Sequence, residues 1–121
     1  MFTVQVEKTI ACAHQLFGYN GPCEKLHGHN YRILVIYKGE RLDDCGMLVD
    51  FSEVKKRFNV ILERMDHAYL NELPEFADIS PSAENIARHI YTELESTPFE
   101  LALLDEVQVW ETPTSMATYR K

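Results

Sequence analysis

The chain has 121 residues and a formal net charge of −7 at neutral pH, with 45% hydrophobic and 26% charged residues. That length fits one domain over residues 1–121 with a modest core. The acidic balance disfavours a nucleic-acid partner, whose phosphates need a basic face, and no run of roughly 18 apolar residues offers a membrane span.

The first residues, "MFTVQVEKT", lack the charged-then-apolar order of a secretory signal. Cys12, Cys23 and Cys45 make an odd number of cysteines, which argues against a disulfide framework. Reduced thiols and a cytoplasmic location are expected.

Residues 2–10 alternate, with Phe2, Val4 and Val6 on one side and Thr3, Gln5 and Glu7 on the other. This is the period of a half-buried strand. His14 lies just past its end, on the apolar parity. Residues 31–39, "YRILVIYKG", are β-branched and aromatic and predict a second strand. "DDCGM" at 43–47 is turn-like. Asp50 is a candidate N-cap with Glu53 three residues on, the pattern of a capping box. Phe51, Val54, Phe58, Ile61 and Leu62 follow at helical spacing, and "NELPEF" ends that helix. Ser80–Pro81 predicts the start of a second helix, since Pro suits the first turn. Its apolar face is Ala83, Ile86, Ala87, Ile90 and Leu94. Residues 105–112 alternate again, and "SMATYRK" predicts a short last strand. The order ββααββ is an α+β pattern, a small antiparallel sheet with helices on one face. Four strands leave two open edges, so strand-to-strand oligomerisation is expected.

The chemistry concentrates at residues 23–31, "CEKLHGHNY". On an extended segment His27 and His29 point to the same face, and Gly28 leaves space between them. His14, at the end of the neighbouring strand of a hairpin, supplies a third imidazole. Three neutral imidazoles suit Zn²⁺ and leave a fourth position open for water or substrate, the catalytic arrangement. Two other readings stay open: a chance H-x-H pair, and a closed structural site with Cys23 as the fourth ligand. His89 lies mid-helix and reads as a packing or surface residue. His67 follows Asp66 directly. If Cys23 lies near them, its thiol gains a lowered pKa and acts as a proton-transfer base, with the carboxylate orienting the imidazole.

Taken in order, "ACAHQL", C-x3-H-G-H-N-Y, "GMLVDFSEVK", "MDHAYLN", "SPSAENIA" and "VWET" resemble the family of 6-pyruvoyl- and 6-carboxy-tetrahydropterin synthases over nearly the whole chain. The resemblance implies the tunnelling fold, in which three four-stranded sheets close a barrel and two trimers often stack. It implies a homo-oligomer, a trimer or a dimer of trimers, with active sites between subunits. It also implies one zinc per subunit held by His14, His27 and His29. Cys23 matches the catalytic thiol, and Asp66 and His67 its acid–base partners. Glu111 matches the carboxylate that anchors the guanidine-like edge of the pterin, whose two parallel N–H donors a carboxylate accepts together. Ser82 and Ala83 match pocket-lining positions, Ala83 through backbone groups only.

The implied substrate is 7,8-dihydroneopterin triphosphate. Three residues separate Cys23 from His27. That spacing resembles the bacterial carboxy-tetrahydropterin enzymes of the queuosine and 7-deazapurine route, which release acetaldehyde and triphosphate. The pyruvoyl enzymes carry a longer spacer. A third group has E-x-x-H-G-H and forms 6-hydroxymethyl-7,8-dihydropterin for folate. Glu24 fits that pattern too, so the combined C-E-x-x-H-G-H motif makes this a second expected product, with a solvent-facing loop glutamate as the bland alternative. A pyruvoyl synthase activity and a non-catalytic zinc- or pterin-binding module are the rival readings. Lys25, Arg32, Arg120 and Lys121 are the candidates to hold the triphosphate.

Overall fold

A computed structural model of the protein describes residues 1–16 and 25–121. Cys23 and Glu24 lie outside the described residues. Four strands form one antiparallel sheet in the order β1 (Phe2–His14), β2 (His27–Gly39), β3 (Leu103–Thr112) and β4 (Ser115–Tyr119). Two helices, α1 (Phe51–Leu62) and α2 (Ala83–Glu95), come between β2 and β3 in the chain. The ββααββ order predicted from periodicity is the observed one.

One face of the sheet carries the core. Val6, Ile10, Tyr31, Ile33, Val35, Tyr37, Val107 and Val109 are buried there. They form one cluster with Val54, Phe58 and Leu62 of α1 and Ile86, Ala87, Ile90 and Leu94 of α2. These are the positions that strand and helix periods select, so burial of apolar area drives both packing layers. On the other face, Arg32 pairs with Glu7 and stacks on the Trp110 ring, while Arg120 pairs with Glu106.

Both hairpin strands run further than the sequence pattern predicted. β1 continues to His14 and β2 begins at His27, not at residue 31. The ladder runs unbroken from Phe2↔Gly39 to His14↔His27. Polar and small residues such as Gly28 and Asn30 hide this extension from propensity, and cross-strand pairing overrides it.

Helix starts also differ in detail. The Asp50 carboxylate caps α1 by accepting from the Ser52 N–H and hydroxyl. α2 begins at Ala83, not at Ser80–Pro81. Ser82 is its N-cap, and its hydroxyl accepts the Asn85 N–H. The Ser80 carbonyl accepts from the Asn85 side chain, and the Pro81 carbonyl faces His14. Those carbonyls are therefore committed outside the helix, which moves its start two residues on.

Among the described residues, the outer edge of β1 is closed near its end. The His67 N–H donates to the Ala11 carbonyl, the Ala13 N–H donates to the Ala68 carbonyl, and Asp66 Oδ1 accepts the Ala11 N–H. Gln15 is clamped by Asn71, whose Oδ1 accepts the Gln15 N–H and whose amide donates to the Gln15 carbonyl, both at 2.8 Å. These straps fix where the chain leaves β1 immediately after His14. No helix among the described residues is long and apolar enough to cross a membrane.

Candidate metal centre

Three imidazoles meet at the end of the β1–β2 hairpin. His14 and His27 are directly paired across the ladder, and His29 lies opposite Cys12. All project to the core face. The His14 and His27 Nε2 atoms are 2.9 Å apart. Ring centroids are separated by 4.5 Å for His14 and His27, 5.2 Å for His14 and His29, and 4.7 Å for His27 and His29.

Backbone carbonyls set the tautomers. His14 Nδ1–H donates to the Pro81 carbonyl at 2.7 Å, and His27 Nδ1–H donates to the Lys25 carbonyl at 2.6 Å. An imidazole that donates through Nδ1 presents a lone pair at Nε2. Two such lone pairs at 2.9 Å repel unless a cation or a shared proton lies between them. A carbonyl behind each ring is also the outer-shell arrangement that orients metal-ligating histidines. Burial holds the His14 imidazole below its ordinary 6.5, reinforced by His27 and opposed by the Pro81 carbonyl and Glu111. Burial likewise lowers His29, against the pull of Glu111. Neutral imidazoles are the form that binds a divalent cation.

Glu111 joins this group. Its Oε1 lies 2.8 Å from His29 Nε2 and 3.6 Å from His14 Nε2. Ligand atoms of His14, His27, His29 and Glu111 all fall within 4.8 Å of one another. This donor set of three imidazole nitrogens and one carboxylate oxygen fits a divalent transition metal such as Zn²⁺. The sequence reading assigned Glu111 to a substrate edge and missed its proximity to the imidazoles. The signal was present: Val107, Val109 and Glu111 share a parity, so a carboxylate stands on the core face of β3.

The other predicted residues divide clearly. Asp66 Oδ1 is 3.1 Å from His67 Nδ1 while it also accepts the Ala11 N–H at 3.0 Å. His67 has φ +59, in the left-handed region, and its side chain is 82% exposed. A pocket of about 410 Å³ includes Cys12, His29 and His67 in its lining. Cys12 is buried, and burial followed by the charge of Asp66 pushes its thiol up to about 12, so it is an inert core residue. Ser82 and Ala83 open α2 directly after Pro81, which places them beside His14 in the chain path. His89 packs its ring against Phe76 at 5.5 Å, as a packing residue should. Of the basic candidates, Arg32 is engaged by Glu7, Arg120 by Glu106 and Lys121 by Glu95. Lys25 is exposed, and its carbonyl faces His27.

The fold and site together define an antiparallel α+β domain with a candidate metal centre at one corner of its sheet. The chain belongs to the 6-pyruvoyl tetrahydropterin synthase family, whose model matches residues 3–121. It is 32% identical to a 6-carboxy-5,6,7,8-tetrahydropterin synthase of Haemophilus influenzae, over 100% of both chains. It is 36% identical to the protein of that name from Synechocystis sp., covering 98% of this chain and 93% of that one. The solved structure of Caenorhabditis elegans 6-pyruvoyl tetrahydropterin synthase superposes with a TM-score of 0.89 at 28% identity, over 99% of this chain and 95% of that one.

Proposed function

We propose that the protein converts 7,8-dihydroneopterin triphosphate and one water to 6-carboxy-5,6,7,8-tetrahydropterin, acetaldehyde and triphosphate, using one zinc ion per subunit. The observation that carries this reading is the pair of Nε2 lone pairs at 2.9 Å, backed by two carbonyl-fixed tautomers. A chance H-x-H pair has no need of such backing. The bacterial relatives named for the carboxy product favour that outcome over the pyruvoyl one.

His14, His27 and His29 would hold the ion. Bound there, Zn²⁺ supplies Lewis-acid polarisation of the substrate's side-chain oxygens. The chain's own groups do the rest. The Cys23 thiolate takes a proton from the substrate side chain, and His67, oriented by Asp66, serves as the second proton carrier. The Glu111 carboxylate accepts the 2-amino and N3 hydrogens of the pterin. Ser82 retains a hydroxyl hydrogen to donate, because its oxygen already accepts from Asn85. Ala83 offers backbone groups. Lys25 is the cation we assign to the triphosphate, since Arg32, Arg120 and Lys121 already have carboxylate partners. Glu24 acts as a second base that yields 6-hydroxymethyl-7,8-dihydropterin.

The assembly we propose is a homo-oligomer, a trimer or a dimer of trimers, joined through the sheet edges into a barrel. The exposed His67 side chain supports sites shared between subunits. We place the enzyme in the cytoplasm, in the queuosine/7-deazapurine route with a branch to folate.

Product analysis tests this directly. Zinc-loaded protein incubated with dihydroneopterin triphosphate is expected to yield the 6-carboxylate. Formation of the 6-pyruvoyl product, or of no product, would overturn the assignment. Cys23→Ala should keep zinc and abolish carboxylate formation, whereas loss of zinc would favour the closed structural site. Glu24→Ala should lower the hydroxymethyl product selectively.

A further inference from the structure

The strap along the outer edge of β1 changes its means of attachment partway. Backbone groups attach it first. The His67 N–H donates to the Ala11 carbonyl and the Ala13 N–H to the Ala68 carbonyl, with Ala13 and Tyr69 paired in parallel. The strap then enters a single 3₁₀ turn, Leu70–Glu72. There the Glu72 and Leu73 N–H groups are committed to the Tyr69 and Leu70 carbonyls. The backbone of the strap no longer follows the edge, yet Gln15, which continues the series of Ala11 and Ala13, is still paired. The Asn71 carboxamide takes over, accepting the Gln15 N–H and donating to the Gln15 carbonyl, both at 2.8 Å. A carboxamide carries the same donor and acceptor pair as a peptide unit. One side chain thus stands in for one rung of a β-ladder. Tyr69 adds a third hold, its hydroxyl donating to Gln15 Oε1 at 3.3 Å.

We propose that Asn71 is a positioning residue for the reaction: it locks the strap that carries Asp66 and His67 to the residue that follows His14, and so fixes that pair relative to the metal centre. The proposal rests on the roles given to Asp66 and His67 above. The clamp joins parts of the chain 56 residues apart, and each part bears a group of the proposed site. On one side, Gln15 directly follows His14. On the other, His67 lies four residues before Asn71, in the left-handed region, with a side chain 82% exposed. Such a side chain gains little from packing, so the backbone of the strap sets its place. That backbone is tied before His67 by Asp66, which accepts the Ala11 N–H, and beyond it by Asn71. A displacement of about 1 Å can cost a reacting group roughly 10²-fold in rate, so a rung four residues away bears on kcat. Leu70 is fully buried and keeps the strap on the core when the rung is lost. Removing the rung therefore loosens the strap without unfolding the domain.

Asn71→Ala removes both bonds. It is expected to speed amide hydrogen exchange at Ala13, Gln15 and His67 by about fivefold or more, the local effect of lost hydrogen bonds. It should lower kcat about tenfold or more and leave KM for dihydroneopterin triphosphate within about twofold. Zinc affinity, measured by chelator competition, should match wild type, because His14 keeps its ladder pair and the Pro81 carbonyl. Asn71→Asp retains an acceptor for the Gln15 N–H and should fall between Asn71→Ala and wild type in exchange and in kcat; if Asn71→Ala does not fold, this variant carries the same comparison. Asn59→Ala is the stability control. It removes the bond from Lys8 on β1 to Asn59 on α1 and should keep the wild-type kcat. Wild-type exchange at the three amides in the Asn71 variants would overturn the clamp. Faster exchange with wild-type kcat, a kcat loss equalled by Asn59→Ala, or a loss of zinc affinity would overturn the positioning role. Wild-type protein that forms no carboxylate product fails the functional reading instead, and the exchange rates still judge the clamp.

Discussion

Asp66 has two partners, and two substitutions separate them. Its Oδ1 accepts the Ala11 N–H at 3.0 Å and lies 3.1 Å from His67 Nδ1. The first contact closes the edge of β1; the second orients a histidine. Asp66→Ala removes both and leaves the Ala11 N–H without its acceptor. A hydrogen bond to a charged group is worth about 1.5–3 kcal/mol. Asp66 is a third exposed, so the low end applies, about 1.5 kcal/mol, or a fall of roughly 5–8 °C in Tm for a domain of this size. Asp66→Asn keeps a carbonyl oxygen for Ala11 and loses only the charge facing His67, so it should cost under ~1 kcal/mol. In activity the order changes. Both variants lose the carboxylate that sets the imidazole, and both should drop in kcat by about 10²-fold or more, the value of a positioned proton carrier. Thermal unfolding and steady-state turnover of dihydroneopterin triphosphate measure the two effects. Wild-type turnover by Asp66→Asn would refute the proton role. Equal stability of the two variants would refute the edge-anchor role.

Two further predictions follow from local geometry. The left-handed conformation of His67 costs a non-glycine residue about 1–2 kcal/mol, and its exposed side chain returns little packing. His67→Gly should therefore unfold no earlier than wild type, or up to ~1 kcal/mol later, while turnover falls about 10²-fold; a clear loss of stability would refute the strain. His89 packs on Phe76, and burial holds it below the ordinary 6.5, opposed by Glu93 and Glu75 and reinforced by Arg64. The unfolded chain then binds the extra proton first, so this contribution is present above pH ~6.5 and is lost as pH falls below it. His89→Leu should flatten the decline in Tm between about pH 7.5 and 5.5; an unchanged or steeper decline would contradict the assignment.

Much of the fold was legible because apolar periodicity is a local property. Val4 and Val6, Ile33 and Val35, Val107 and Val109 each mark a strand face, and Val54, Phe58 and Leu62 mark a helix stripe, whatever the partners are. The same parity placed His27 and His29 on one side and selected His14 as their companion, and the ladder pairs His14 with His27. The ends of elements were less legible. The reach of β2 back to His27 depends on β1 lying beside it, and the start of α2 depends on His14 drawing the Pro81 carbonyl out of the helix.

The sequence by itself determined the element order, the core faces, the three imidazoles and the family pattern that runs from His14 to Glu111, because each is carried by residue type and spacing along the chain. Tertiary structure alone decided the tautomers, since the carbonyls of Pro81 and Lys25 are brought to His14 and His27 by packing and by a turn. It alone set Glu111 2.8 Å from His29, because that approach depends on β3 lying beside β2. It alone also gave Asp66 its second task at the edge of β1, through a contact between residues 55 positions apart that no spacing rule encodes.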